Sequence, residues 1–150
     1  AALMLLSLTA CAAESSGDAK YTIGICQLIK HEALDAATEG FKQALEDELG
    51  AENVEVMVEL GGGDTATCSP IVMDFVSKEV DLIMANATPA LQAAASATED
   101  IPILGTSVTE YGVALGIENF SGVVGSNVSG CTIHAMRLYR KEDNSCDRSL

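Results

Sequence analysis

The feature that most constrains the fold is the alternation of two hydrophobic periods along the chain. Apolar runs of strand length occupy residues 21–28, 53–60, 80–85 and 101–107, and a short fifth strand is predicted at 122–124. Between them, helical spacing occupies residues 32–49, a segment from position 64 or 69 to about 79, and residues 89–98. Alternating strands and helices form βαβ units, whose right-handed crossovers give a parallel sheet with helices on both faces. The sequence therefore predicts an α/β fold.

Composition limits what such a fold can do. A chain of 150 residues provides one domain, and with no Trp and 4% aromatic residues its core must be aliphatic. The net charge of −14 repels phosphate groups, so we exclude nucleic acid as a partner. The five cysteines form no C-x-x-C pair, and His31 and His134 have no ligand-like spacing. We predict no metal, no cofactor and no required disulfide.

The front of the chain carries a localisation signal. Leu8-Thr9-Ala10-Cys11 ends an uncharged apolar run, and a small, polar segment follows it. This pattern is typical of a bacterial lipoprotein signal, in which the Cys11 thiol accepts diacylglycerol. The run is shorter than the ~20 apolar residues that span a bilayer. We expect a signal remnant at 1–11, a spacer at 12–20, and an extracytoplasmic protein anchored by lipid. The alternative is a short buried helix with Cys11 as apolar filler.

Candidate binding residues follow from the predicted topology. Open parallel sheets bind ligands beyond the carboxyl ends of their strands, where the strand order reverses. This rule selects four sets of residues: Gln27, Ile29 and His31; Gly63, Asp64 and Thr65; Asn86, Ala87 and Thr88; Thr106, Ser107 and Thr109. Most are neutral hydrogen-bonding groups, and a helix N-terminus at Thr88 would attract a carboxylate. Thr88 as a simple helix cap, and His31 as a helix-start residue, are the alternatives.

Sequence motifs for catalysis are missing. The segment Gly61-Gly62-Gly63-Asp64 lacks the lysine and the following hydroxyl of a phosphate-binding loop, and neither G-x-G-x-x-G nor G-x-S-x-G occurs. We therefore predict that the protein is not an enzyme. A flavodoxin-like enzyme that binds a nucleotide or flavin remains an alternative, because the same architecture supports many functions.

Several segments resemble, in order, the tryptophan/tyrosine-type substrate-binding lipoproteins of ABC transporters, which have a type I periplasmic-binding-protein fold. The resemblance covers about residues 20–130 and includes Ile23-Gly24-Ile25-Cys26-Gln27-Leu28, Gly63-Asp64, Val80-Asp81-Leu82-Ile83, Ala87-Thr88-Pro89-Ala90-Leu91-Gln92 and Gly125-Ser126-Asn127-Val128-Ser129-Gly130. It implies the amino-terminal lobe of a two-lobed protein that captures an amino-acid-like solute. The expected partners are that solute and the ABC permease and ATPase subunits. A sensory ligand-binding domain is the alternative.

The resemblance and the topology together define the predicted site. The ligand-binding residues are Gln27, His31, Asp64, Thr88, Ala90, Thr106, Ser107 and Thr109. The resemblance implies that Thr88 and its helix N-terminus lie near the ligand's carboxylate. No residue is predicted to be catalytic.

The last twenty residues differ from the rest. All three arginines lie after Gly130, whereas residues 1–130 contain four lysines against nineteen acidic residues. We therefore divide the chain into a lobe at 21–130 and an atypical tail at 131–150, which we interpret as frame-shifted. On this interpretation the second lobe of the parent protein is missing.

Overall fold

Five strands form one parallel sheet in the computed structural model, which describes residues 20–132. They are β1 (Tyr21–Gln27), β2 (Val54–Leu60), β3 (Leu82–Asn86), β4 (Ile103–Val108) and β5 (Val128–Thr132). Their order in the sheet is β2-β1-β3-β4-β5, and every neighbouring pair is parallel. The predicted α/β architecture is confirmed.

Four helices connect the strands. They are α1 (Glu32–Leu49), α2 (Thr65–Ser77), α3 (Thr88–Ala97) and α4 (Tyr111–Leu115), with a 3-10 turn at Ala51–Asn53. The start of α2, which the sequence left open, is set by Asp64, whose carboxylate accepts a hydrogen bond from the Ala66 backbone N–H at 2.9 Å. Among the described residues, no helix has the length and apolarity needed to cross a membrane.

The helices cover both faces of the sheet, because alternate strand residues enter two separate cores. On one face, Ile23, Ile25 and Met84 are buried beneath Phe41 and Leu45 of α1. On the other face, α2, α3 and α4 bury a much larger cluster that contains Cys26, Phe75, Ile83 and Leu91 among its sixteen members. Aliphatic residues and alanines dominate both cores.

The position of the fifth strand was predicted wrongly. Residues 122–124 form no strand, and β5 begins instead at Val128, which pairs with Ile103 of β4. The physical reason is backbone conformation, since Gly122 and Gly125 have φ values of +94° and +73°. These values interrupt an extended chain and are readily adopted only by glycine.

The structure bears on the predicted boundaries only in part. Strand β5 includes Cys131 and Thr132, the first two residues that we assigned to the tail. Cys11 and His134 lie outside the described residues, as do the signal remnant at 1–11, most of the spacer and the rest of the tail.

Candidate functional site

The strand order reverses between β1 and β3, since β2 lies on one side of β1 and the later strands lie on the other. In open α/β sheets this reversal opens a crevice at the carboxyl ends of the two strands. Gln27 ends β1 in register with Asn86, which ends β3, and Asn86 is in register with Thr106 of β4. These three residues, the strand-end row, are all buried. The row marks the edge of the sheet at which a ligand is expected.

A hydrogen-bond network lies beneath α1 and holds two members of the row. The Thr38 hydroxyl donates to Gln27 Oε1 at 2.7 Å and accepts from Asn86 Nδ2 at 3.0 Å. Gln27 Nε2 donates to Asp35 Oδ1 at 2.7 Å and to the Ile29 carbonyl at 2.9 Å. The network therefore ties the first turns of α1 to the ends of β1 and β3, and both polar atoms of the Gln27 side chain already have partners.

Asn86 is less completely paired. Its Nδ2 also donates to the Leu34 carbonyl of α1 at 2.8 Å. Its Oδ1 is fully buried, and nothing among the described residues donates to it. An unpaired buried carbonyl oxygen costs about 1–3 kcal/mol. The end of β3 thus places a buried acceptor, without a donor among the described residues, at the strand-order reversal.

The N-terminus of α3 follows β3 directly and has no side-chain cap. Its N-cap position is held by Ala87, so Thr88 and Pro89 are already helical and Thr88 is not the cap residue. Ala87 has φ +106° and ψ 159°, and its N–H donates to the Thr106 carbonyl at 3.0 Å. Helix geometry leaves the N–H groups of Thr88 and Ala90 without intrahelical partners. Thr88 is partly exposed and Ala90 is fully buried, so Thr88 is the residue at this end of α3 that an anion can reach.

The other predicted site residues lie at the same edge of the sheet, because the strands are parallel. His31 is exposed and caps α1, its Nδ1 accepting a hydrogen bond from the Ala33 N–H at 3.2 Å. Asp64 is exposed at the start of α2. Ser107 has φ +56° at a register irregularity of β4, and Thr109 follows that strand as an exposed residue.

The loop that carries Asp64 is fastened to the end of β1. The Gly61 N–H donates to the Gln27 carbonyl, and the Gly63 N–H donates to the Leu28 carbonyl, both at 2.8 Å. Two apolar residues are exposed here: Ile29, in the loop after β1, is 44% exposed, and Leu60, at the end of β2, is 46% exposed. This edge of the sheet therefore combines exposed apolar surface with hydrogen-bonding groups.

Two neighbouring cysteines, Cys26 and Cys68, lie on the face of the sheet opposite α1. Burial raises the pKa of the Cys26 thiol to about 12, and the neighbouring Cys68 thiol adds to the effect. Burial also raises the pKa of Cys68. Within residues 20–132, no group of three His, Cys, Asp or Glu side chains is arranged to hold a metal ion. The groups that the described residues present at this edge of the sheet are hydrogen-bond donors and acceptors and the carboxylate of Asp64.

The sequence analysis missed Thr38 and Asp35, and it selected Asn86 by the strand-end rule but left it out of the predicted ligand-binding residues. The available signal was Thr38 itself, a polar residue on the apolar stripe formed by Leu34, Phe41 and Leu45. Its partners belong to other elements, so helical spacing alone did not identify them.

Comparison with known proteins gives matches to substrate-binding proteins. Residues 22–139 match a family model described as ABC transporter substrate binding protein. A curated tyrosine-binding protein from Clostridioides difficile (strain R20291) is 43% identical over 110 residues, which cover 72% of this chain and 32% of that protein. This chain therefore spans about a third of the length of that relative.

Two solved structures are also similar. One is the ligand-free, open form of a substrate-binding protein with adhesive properties from Clostridium difficile, with a TM-score of 0.69 and 40% identity. The other is an ABC domain in complex with L-Trp from Streptococcus pneumonia, with a TM-score of 0.68 and 28% identity. Each similarity covers 75% of this chain and 38% of the solved chain.

Proposed function

The chain belongs to the ABC transporter substrate-binding protein family, and from this premise we propose that it is the amino-terminal lobe of an amino-acid-binding component of an importer. The parent protein would capture the solute outside the cell membrane and present it to the permease and ATPase subunits. One relative is named a tyrosine-binding protein, and another is described as an ABC domain in complex with L-Trp. None of these names supports the flavin-binding alternative.

The uncapped N-terminus of α3 is the observation that carries the proposal. The free N–H groups of Thr88 and Ala90, together with the positive end of the helix dipole, favour a carboxylate. The Thr88 hydroxyl would supply a further donor to the same group. Since α3 starts at the strand-order reversal, this anion position coincides with the edge that α/β sheets use for ligands.

The remaining predicted residues would surround the rest of the solute. The exposed carboxylate of Asp64 would attract its ammonium group, and the exposed side chains of Ile29 and Leu60 would contact its apolar part. Thr106, Ser107 and Thr109 would line the side of the site next to β4. Gln27, whose side-chain atoms are already paired, would act by holding the loop after β1.

A single lobe provides one wall of a cleft, whereas binding sites bury about 70–90% of a ligand. We therefore expect this chain to bind amino acids weakly, with a Kd of about 1 mM or above, equivalent to a binding free energy of about −4 kcal/mol or weaker. The test is an NMR titration of the 150-residue chain with L-tyrosine, L-tryptophan and L-isoleucine. Amide shifts should concentrate at Thr88, Ala90 and Leu91.

Tyramine, which lacks the carboxylate of tyrosine, is the matched control ligand and should leave these amides unshifted. Micromolar affinity would contradict the one-wall argument. A response to no amino acid, or an equal response to tyramine, would remove the proposed carboxylate position.

We also propose that Cys11 carries a lipid anchor, on the strength of the sequence pattern around it. In a bacterial host with a lipoprotein pathway, the chain should fractionate with membranes. A Cys11→Ser variant that still did so would contradict the anchor.

A further inference from the structure

We infer that Thr38 is a positioning residue of the site. Its hydroxyl holds the side chains of Gln27 and Asn86, and through them both the loop after β1 and the start of α3. This inference rests on the proposed function for its biological meaning. The hydrogen bonds that support it are independent of any ligand.

The burial of Thr38 is unusual for its helix. It is the only buried residue among the eighteen of α1, and only 3% of its surface is exposed. A valine would fill the same volume without burying a hydroxyl, and a buried hydroxyl is unfavourable unless it is hydrogen-bonded. Packing alone therefore does not explain a threonine at this position, and its hydroxyl must have a further role.

The two partners define that role. Gln27 presents a carbonyl oxygen to Thr38, at 2.7 Å, while Asn86 presents an amide nitrogen, at 3.0 Å. The group between them must donate to one and accept from the other at the same time. A hydroxyl does both, and no apolar side chain does either.

Each of the two partners of Thr38 is connected to one segment of the candidate site. Gln27 Nε2 donates to the Ile29 carbonyl, which lies in the loop between β1 and α1. Asn86 immediately precedes Ala87, the N-cap of α3, and therefore the unpaired N–H groups of Thr88 and Ala90. The Thr38 hydroxyl is the atom that the two branches share.

Removal of the hydroxyl would leave Gln27 Oε1 without its donor. Asn86 Oδ1 already lacks a donor among the described residues, so two buried carbonyl oxygens would then be unpaired near one another. Asn86 Nδ2 would keep only its hydrogen bond to the Leu34 carbonyl. Both side chains would gain freedom to rotate, and both segments of the site would open more often.

The test compares amide hydrogen exchange in the 150-residue chain and in its Thr38→Val and Thr38→Ser variants. Thr38→Val keeps the volume and removes the hydroxyl, and we expect exchange to become about tenfold faster in residues 28–33 and 86–91. Thr38→Ser keeps the hydroxyl, so its rates in these two segments should stay within about twofold of the wild-type rates.

Thr98→Val is the matched control. The Thr98 hydroxyl accepts hydrogen bonds from the backbone N–H groups of Asp100 and Ile101, at 3.2 and 3.1 Å, near the opposite end of the sheet. This variant should lose protection near residues 98–103 and leave the two site segments unchanged. The inference is overturned if Thr38→Val accelerates exchange uniformly, or not at all, or if Thr38→Ser behaves like Thr38→Val.

If Thr38→Val does not fold, the inference is tested by NMR on the wild-type protein. The hydroxyl proton of Thr38, which is donated to Gln27 Oε1, must then be protected from exchange, and a solvent-like rate would overturn the inference. Because neither measurement uses a ligand, Thr38 can fail as a positioning residue while amino acids still shift the α3 amides. Conversely, a failed titration leaves the exchange result intact.

Discussion

Replacing Ala87 by glycine should destabilise the protein by no more than about 1 kcal/mol, although the alanine methyl group is buried. Ala87 combines φ +106° with ψ 159°, a region of backbone space that is essentially reserved for glycine. Residues held in such conformations cost about 1–3 kcal/mol each. The Ala87→Gly substitution removes that strain at the residue that joins β3 to α3.

Two opposing terms reduce the gain. Glycine increases the conformational freedom of the unfolded chain, at a cost of about 0.4–1 kcal/mol. Loss of one buried methyl group costs about 0.8 kcal/mol more. The expected net change in the free energy of unfolding therefore lies between a loss of about 1 kcal/mol and a gain of about 2 kcal/mol.

Ala93 is the matched control, because it is 8% exposed like Ala87 but lies inside α3 with no unusual φ. Glycine there costs about 1 kcal/mol in helix propensity and about 0.8 kcal/mol for the methyl group, or roughly 2 kcal/mol in total. Ala87→Gly should therefore be more stable than Ala93→Gly by at least about 1 kcal/mol.

Urea unfolding followed by circular dichroism measures this difference from the two midpoints, provided that the slopes agree. Equal destabilisation of the two variants would refute the reasoning, since it would mean that Ala87 stores no strain. If the strain is present, relieving it should also give the connection between β3 and α3 more conformational freedom.

Two further predictions concern the larger core. Burial and the neighbouring Cys68 raise the pKa of the Cys26 thiol in the folded protein, so with rising pH the unfolded chain loses this proton before the folded chain does. The free energy of unfolding should therefore be fully retained below about pH 9 and should fall as the pH rises toward about 12. Urea midpoints at increasing alkaline pH should therefore decline less steeply in Cys26→Ala, and an unchanged slope would contradict this. A Cβ added at Gly24 would lie 2.6 Å from the buried Phe75 ring, so Gly24→Ala should cost about 1–3 kcal/mol. Gly40→Ala, which meets nothing within 4 Å in α1, should instead stabilise by up to about 1 kcal/mol; the reverse order in thermal unfolding would disprove the steric argument.

The sequence predicted the elements whose periodicity is local. Strands β1 to β4 and helices α1 to α3 each contain enough apolar positions to display their period. Strand β5 was misplaced because its location depends on distant contacts. Asn127 Nδ2 donates to the carbonyls of Thr98 and Ile101, at 3.1 and 2.7 Å, and fixes the chain just before the strand. Helix α4 has only five residues, too few to show a helical period.

The site was predictable to the extent that topology determines it. The rule for strand ends selected Gln27 and Thr106 without any motif, and both belong to the strand-end row. The role of Thr38 depends on two partners that are 11 and 48 residues away in sequence. The strain at Ala87 leaves no trace in the sequence, because nothing distinguishes this alanine from its helical neighbours.

The unequal sizes of the two cores imply that the α1 face of the sheet is less stable than the opposite face. Three buried apolar residues lie beneath α1, against sixteen on the opposite face, so α1 should detach in a partial unfolding step before the remainder of the sheet melts. Since Thr38 belongs to this helix, warming should break its hydrogen bonds to Gln27 and Asn86 while most of the sheet is still folded. Cleavage within α1 by a protease should therefore begin at a lower temperature than the loss of secondary structure measured by circular dichroism.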